Sequence, residues 1–167
     1  MRAITVRQPH AWAIVHLGKV ENRTRNIAGS YRGPVAIHAG LHPFEQDNMS
    51  SRAHRDAHGS ETPTEIAFGA IIGVADLVDV HHADECWDRE LHRVVRLYRE
   101  HRDEFAAIPD NGAGGILGRL RPCSPWAMDE HWHLVWENPR PLAVPIPAKG
   151  RLGLWTLPDD IAEQVTS

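Results

Sequence analysis

Residues 18–25, GKVENRTR, place a lysine, a glutamate and two arginines within eight positions, directly after a predicted helix. A lysine ammonium that is removed from water can lose its proton and act as a general base, whereas an arginine stays charged and suits phosphate or carboxylate. The octet therefore favours one of two sites. One is an anion-binding site, and the other is a hydrolytic site in which Lys19 and Glu21 act on a bond with the help of water.

Lysine is rare in this chain. Of the 18 basic residues only Lys19 and Lys149 are lysines, so arginine supplies nearly every other positive charge. Because only the lysine amine has a tunable pKa, Lys19 is the first candidate for chemistry in the octet.

The basic residues are concentrated in the N-terminal third of the sequence. Residues 1–55 carry eight basic and three acidic residues, whereas residues 56–112 carry five and thirteen. This asymmetry favours a phosphate-bearing partner, while a pI near 6.3 argues against nonspecific coating of DNA.

The elements that must position the octet are mostly strands. Apolar and β-branched runs predict strands over 3–7, 34–40, 70–81, 131–137, 138–150 and 152–157, and a short helix over 9–18. Helical patterns also occur at about 44–57 and, more strongly, over 84–108, and a glycine-rich turn follows at 110–115. We expect an α+β fold, a small mixed β-barrel with flanking helices, in a single domain over residues 1–167 with a helical insertion at about 87–121.

Composition excludes several classes of protein. The sequence has neither a membrane-spanning apolar run nor a recognisable leader, so we expect a cytoplasmic protein with no membrane partner. Cys86 and Cys123 are far apart and predict buried thiols rather than a disulfide framework or a zinc knuckle. His131 and His133, with Asp129 nearby, are too few for a metal site, and no cofactor is predicted.

Seven motifs together resemble a known family. ITVRQPHAWAI, GKVENRTR, YRGPVAIHAG, AIIGVADLVD, CSPWA, HWHLVWENPRPL and PIPAKGRLGLW occur in the order seen in ASCH-domain proteins, a branch of the PUA-like superfamily. The resemblance implies a β-barrel with a helix-flanked cleft and a role in RNA or nucleotide metabolism. The family signature G-x-K-x-x-E-x-R is matched in type by Gly18, Lys19, Glu21 and Arg23, with lysine and glutamate closer together, and QPWA is replaced by QPHA.

The resemblance implies a cleft that holds a base or a modified nucleoside. Such a cleft needs cations for phosphate, for which the candidates are Lys19, Arg23, Arg25 and Arg32. It also needs planar groups for stacking, for which the candidates are Trp12, Tyr31, Trp126 and Trp155, while His10 stands in the place of the family's tryptophan. Polar groups must meet the base edge, and the candidates are Gln8, Glu21, Asn22 and His38.

Two alternatives to a binding module remain open, and so does the question of whether the protein is an enzyme. Some ASCH proteins resemble hydrolases, either amidohydrolases of modified nucleosides or ribonucleases, and here Lys19 and Glu21 would be the catalytic residues. Their hydroxyl nucleophile falls on Asn22, and Thr24 is the nearest hydroxyl. A protein-interaction module would instead use the apolar stripe of Trp87, Leu91, Tyr98 and Phe105. RNA or a nucleotide is the expected partner and DNA is possible, with the oligomeric state undetermined.

Overall fold

A computed structural model describes residues 1–43, 66–86 and 123–166, which form six β-strands, two α-helices and one 3-10 helix. The strands are β1 (Arg2–Val6), β2 (Glu21–Arg23), β3 (Gly33–Ala39), β4 (Ala70–His82), β5 (Trp132–Pro147) and β6 (Leu154–Thr156). The α-helices are α1 (His10–Leu17) and α2 (Asp159–Thr166), and the 3-10 helix is Ala83–Glu85.

All six strands belong to one mixed sheet in the order β2-β5-β4-β3-β1-β6. β1 runs parallel to β3, with Ile4 opposite Ile37, and the other pairings are antiparallel. Because parallel strands end at the same edge, the carboxyl ends of β1 and β3 lie side by side there.

Helix α1 packs against the sheet and supplies part of the main core. Ala11, Ile14 and Val15 are buried with residues of β1, β3 and β4. The helix ends at Gly18, whose left-handed φ of 64° lets the chain turn sharply toward Lys19. Gly73 in β4 allows the close approach of this helix, because a Cβ there would lie 2.8 Å from Val15 Cγ1.

The two ends of the sheet are joined by a side chain. Arg23 on β2 donates from its NH2 group to the Thr5 carbonyl of β1 at 2.9 Å, although β2 and β1 lie at or near opposite ends of the strand order. The sheet therefore curls into a half-barrel. The expected α+β fold with a mixed, curled sheet is confirmed.

Several predicted elements are confirmed with adjusted bounds. The strands predicted over 131–137 and 138–150 are one continuous strand, β5. Its prolines lie beyond the short pairing with β2, so their missing N–H groups remove no backbone hydrogen bond to β2. Two elements, β2 and α2, were not predicted. The expected helix at 44–57, the turn at 110–115 and the insertion at 87–121 lie outside the described residues. Of the helix expected over 84–108 only residues 84–86 are described, and there the chain forms the 3-10 helix Ala83–Glu85.

In the described part of the chain, neither α-helix is long and apolar enough to cross a membrane.

We predict that Gly73→Ala destabilises the fold. The new methyl group would meet Val15 and, at 2.9 Å, the Arg140 carbonyl oxygen, so helix and strand must separate. Overpacking of this kind costs about 1–3 kcal/mol, which urea unfolding would measure. Val78→Ala, at a partly exposed position of the same strand, is the control and should change stability much less. Equal effects of the two substitutions would contradict this packing account.

Candidate functional site

A cavity of about 720 Å³ opens at the edge where β1 and β3 end. Its walls come from four main segments of the chain: residues 5–7 at the end of β1, residues 19–23 around β2, residues 38–42 after β3, and residues 149–153 between β5 and β6. His10, Met128 and His131 complete the lining. The cavity therefore depends on the curl of the sheet, which brings β2 next to the end of β1.

The lining of this cavity is strongly basic. Among the described residues it includes one carboxylate, Glu21, and five cationic side chains: Arg7, Lys19, Arg23, Lys149 and Arg151. Both lysines of the chain are present. No carboxylate within residues 1–43, 66–86 and 123–166 pairs with Arg7, Lys149 or Arg151. An excess of unpaired cations at a concave surface attracts an anionic ligand.

Lys19, Glu21 and Arg23 form a chain of charges at one wall. Lys19 Nζ donates to the Val20 carbonyl at 2.7 Å and lies 3.3 Å from Glu21 Oε2, while Arg23 NH2 lies 3.0 Å from Glu21 Oε1. Lys19 is only 2% exposed. Its burial lowers the pKa of its amine, and the charge of Glu21 opposes this effect in part.

Two buried polar atoms of the lining have no hydrogen-bond partner among the described residues. They are Arg23 Nε, a donor, and His38 Nδ1. His38 Nε2 lies 2.9 Å from the Ala148 carbonyl oxygen, which can only accept, so Nε2 carries the proton and Nδ1 is an acceptor. Unsatisfied buried groups are rare in folded proteins, and His38 Nδ1 faces Gly150, where a Cβ would lie 2.8 Å away.

The segment 148–153 closes over His38 because position 150 is glycine. A Cβ on Gly150 would lie 2.6 Å from His38 Cε1 and 2.8 Å from Thr5 Oγ1. Thr5 Oγ1 accepts from the Arg151 backbone N–H at 3.2 Å and from Trp155 Nε1 at 3.3 Å. This packing places Lys149 and Arg151 in the lining of the cavity.

The structure brings six of the predicted site residues together at the cavity: His10, Lys19, Glu21, Asn22, Arg23 and His38. Asn22 also has a structural role, since its Nδ2 donates to the Trp126 carbonyl and its Oδ1 accepts from the Met128 N–H. Both functional groups of its amide are thus engaged with the backbone.

Four of the other predicted residues are engaged elsewhere in the fold. Gln8 is buried, donates to the Ala67 carbonyl and accepts from the Trp12 N–H. Trp12 itself stacks on His16. Tyr31 donates its hydroxyl to the Pro34 carbonyl, and Arg32 donates to the Gly29 and Tyr31 carbonyls near Asp79.

The remaining three are Arg25, which is exposed, and the two buried tryptophans Trp126 and Trp155. None of these three lines the cavity. The imidazoles of His10, His42 and His131 are therefore the planar groups at its surface, together with His38, in the part of the chain that the structure describes.

Sequence reasoning did not single out Arg7, Lys149 and Arg151 for the site. Lys149 had one available signal, because it is the second of only two lysines and stands in the motif PIPAKGRLGLW. Nothing in the local pattern connects Arg7 or Arg151 with the octet at 18–25. Their proximity arises from the sheet order.

A second cluster of reactive side chains lies outside the cavity lining. His81, Cys86, Cys123 and His133 direct their nitrogen and sulfur atoms to within 4.8 Å of one another. The sequence grouped His133 with His131, but the structure separates them, since His133 is buried in this cluster and His131 lines the cavity.

Comparison with known proteins gives matches only among solved structures. No protein-family model and no curated protein matches the sequence. The ASCH protein from Zymomonas mobilis matches with 15% identity and a TM-score of 0.47, covering 99% of this chain and 92% of that one. A mutant form of the same Zymomonas mobilis protein matches with the same identity and TM-score over 99% and 95%.

We predict that His38 makes the protein less stable in acid. Burial lowers the pKa of His38 below its usual value of about 6.5, so the unfolded chain binds a proton more readily than the folded one. The contribution of neutral His38 to the free energy of unfolding is fully present above pH 6.5 and is lost as the pH falls through the pKa of the folded state.

His38→Gln keeps an N–H donor for Ala148 but cannot titrate. In urea unfolding at pH 7.5 and pH 5, the free energy of unfolding should fall less for the variant than for the unmodified protein as the pH is lowered. A stability difference that does not change with pH would contradict the prediction.

Proposed function

We propose that the cavity binds the phosphate of a nucleotide or of a short RNA segment. The observation that carries this proposal is the set of five cations around a single carboxylate in a concave site. RNA and nucleotides are also what the ASCH-like motifs imply.

The cations differ in how free they are to meet a ligand. Lys19 and the NH2 group of Arg23 form ion pairs with Glu21, while Arg23 Nε has no partner among the described residues. Arg151 and Lys149 are exposed, and the Arg151 guanidinium lies 5.9 Å from the Trp155 ring centroid. Arg23, Lys149 and Arg151 are therefore the cations that a phosphate in the cavity would contact.

Such a site offers fewer contacts to the base of a nucleotide than to its phosphate. Of the residues expected to contact the base edge, Gln8 and Asn22 are engaged by backbone groups, and Glu21 pairs with Lys19 and Arg23. The imidazoles of His10, His42 and His131 line the cavity and are planar groups that a nucleoside could contact. This composition favours a ligand held mainly by its phosphate, with the ring stacked on imidazole.

We predict that Arg151→Ala weakens binding of a short fluorescent RNA about 10–100-fold in anisotropy titrations, since a charge-assisted contact contributes roughly 1.5–3 kcal/mol. The slope of log K against log salt should fall by about 0.7, as expected when one phosphate contact to a single strand is lost. Titrations with single-stranded DNA and mononucleotides alongside would separate the ligand classes.

The matched control is Arg140→Ala, which removes an exposed arginine that pairs with Asp76 at 2.8 Å and lies outside the cavity lining. It should leave affinity and salt slope unchanged. Equal losses in both variants would indicate a general charge effect, and no measurable binding by the unmodified protein would refute the proposal.

Hydrolysis of a modified nucleoside or an RNA linkage is the second candidate, favoured by one observation. Lys19 is a buried amine whose pKa is lowered and which lies next to a carboxylate, as a general base requires. Thr24 is exposed and lies outside the lining. The Thr5 hydroxyl lines the cavity, but its oxygen already accepts two hydrogen bonds. A water molecule is then the better nucleophile.

For the hydrolase we predict product from at least one member of a panel of N-acylated nucleosides and short RNAs, detected by mass spectrometry, and none from Lys19→Met. Methionine keeps an unbranched side chain in the buried site and removes the amine. RNA binding by this variant, measured as above, should persist because Arg151 and Lys149 remain. Equal product from both proteins, or none from the unmodified protein, would refute hydrolysis and leave the binding proposal intact.

The residues of the interaction-module alternative, Trp87, Leu91, Tyr98 and Phe105, lie outside the described part of the chain.

A further inference from the structure

The cluster of His81, Cys86, Cys123 and His133 is built by the pairing of β4 with β5. His81 and His133 are directly opposite in register, and their ring centroids are 5.3 Å apart. Cys86 follows the 3-10 helix that continues from β4, and the Cys123 N–H donates to Cys86 Sγ at 2.9 Å. Four side chains from three segments thus converge, with all four ligand atoms within 4.8 Å of one another.

The outer nitrogen of each imidazole is held by an oxygen atom, and the other nitrogen is the candidate ligand atom. His81 Nδ1 lies 2.7 Å from the Asp79 carboxylate, which leaves Nε2 as the acceptor, and this buried Nε2 has no partner among the described residues. His133 Nε2 donates to the Met128 carbonyl at 2.8 Å, which leaves Nδ1 as the acceptor. A carboxylate or carbonyl on the outer nitrogen is the usual support for a metal-binding histidine.

We propose that these four residues bind a structural Zn²⁺ ion. Tetrahedral zinc with two sulfur and two nitrogen ligands places a sulfur and a nitrogen about 3.6 Å apart, from Zn–S of about 2.3 Å and Zn–N of about 2.0–2.1 Å. Cys123 Sγ and His133 Nδ1 are 3.5 Å apart. Four protein ligands fill the coordination sphere, so the site is structural rather than catalytic.

The positions of the ligands indicate what the ion would do. Cys86 and Cys123 are the residues that directly flank segment 87–122, and the two histidines stand on neighbouring strands of the sheet. One ion would therefore fasten both ends of that segment to the sheet. Cys123 is exposed, which gives the ion a path into the otherwise buried cluster.

The test uses the full chain without an affinity tag that contains histidine. We expect about one zinc per chain by elemental analysis, and, after exchange, a cobalt(II) spectrum with thiolate-to-cobalt charge transfer and the intense visible bands of tetrahedral cobalt. Cys123→Ser should lose the charge-transfer intensity of one thiolate. The control His131→Gln, which removes a histidine of the cavity instead, should leave the spectrum unchanged.

Asp79→Asn keeps the test decisive if Cys123→Ser fails to fold. Asp79 is exposed; its Oδ2 contacts His81, while its Oδ1 accepts from the Val80 N–H and lies 3.8 Å from Arg32. Asparagine keeps an oxygen for Val80, so loss of the charge at His81 should weaken cobalt affinity about 10–100-fold while the fold persists. Absence of a tetrahedral cobalt spectrum from the unmodified protein, or a mass showing a Cys86–Cys123 disulfide in place of two thiols, would overturn the proposal.

Discussion

The contact on which the rest of the structure depends is the hydrogen bond from Arg23 to the carbonyl of Thr5. β2 is an end strand of the sheet, and β1 lies next to the other end, so no backbone ladder joins them. Arg23 spans this gap at 2.9 Å while its other contact, at 3.0 Å, is Glu21. Because Glu21 also holds Lys19, closure of the half-barrel and burial of the lysine are parts of one arrangement.

This arrangement explains why the cavity is basic although the chain is acidic overall. The parallel pairing of β1 with β3 puts Arg7 beside the His38 end of β3, and the curl brings Lys19 and Arg23 to the same edge. Gly150 then lets segment 148–153 approach closely enough to add Lys149 and Arg151. Cations that are far apart in the sequence share one cavity, so their mutual repulsion favours binding of an anion.

The sequence was informative where burial follows a regular apolar pattern. β1, β3, β4, the start of β5 and α1 are rich in apolar and β-branched residues, and each was predicted within a few positions. β2 was missed because its three residues, Glu21, Asn22 and Arg23, show no apolar pattern. They are held by ion pairs and by side-chain hydrogen bonds rather than by apolar contacts. Six of the predicted residues line the cavity, but Arg7, Lys149 and Arg151 were missed because contacts between distant segments leave no local pattern.

The register of β4 with β5 shows most clearly what a linear reading cannot supply. His81 and His133 are opposite one another only in this register. Because the sequence does not show the register, the two cysteines could not be connected with the two histidines from the sequence alone. His133 also holds the Met128 carbonyl, and Met128 lines the cavity, while Asn22 pairs with His133 across β2 and β5. The cluster and the cavity therefore share one wall. An ion bound at His133 would fix the position of that wall, which links the proposed metal site to the shape of the proposed binding site.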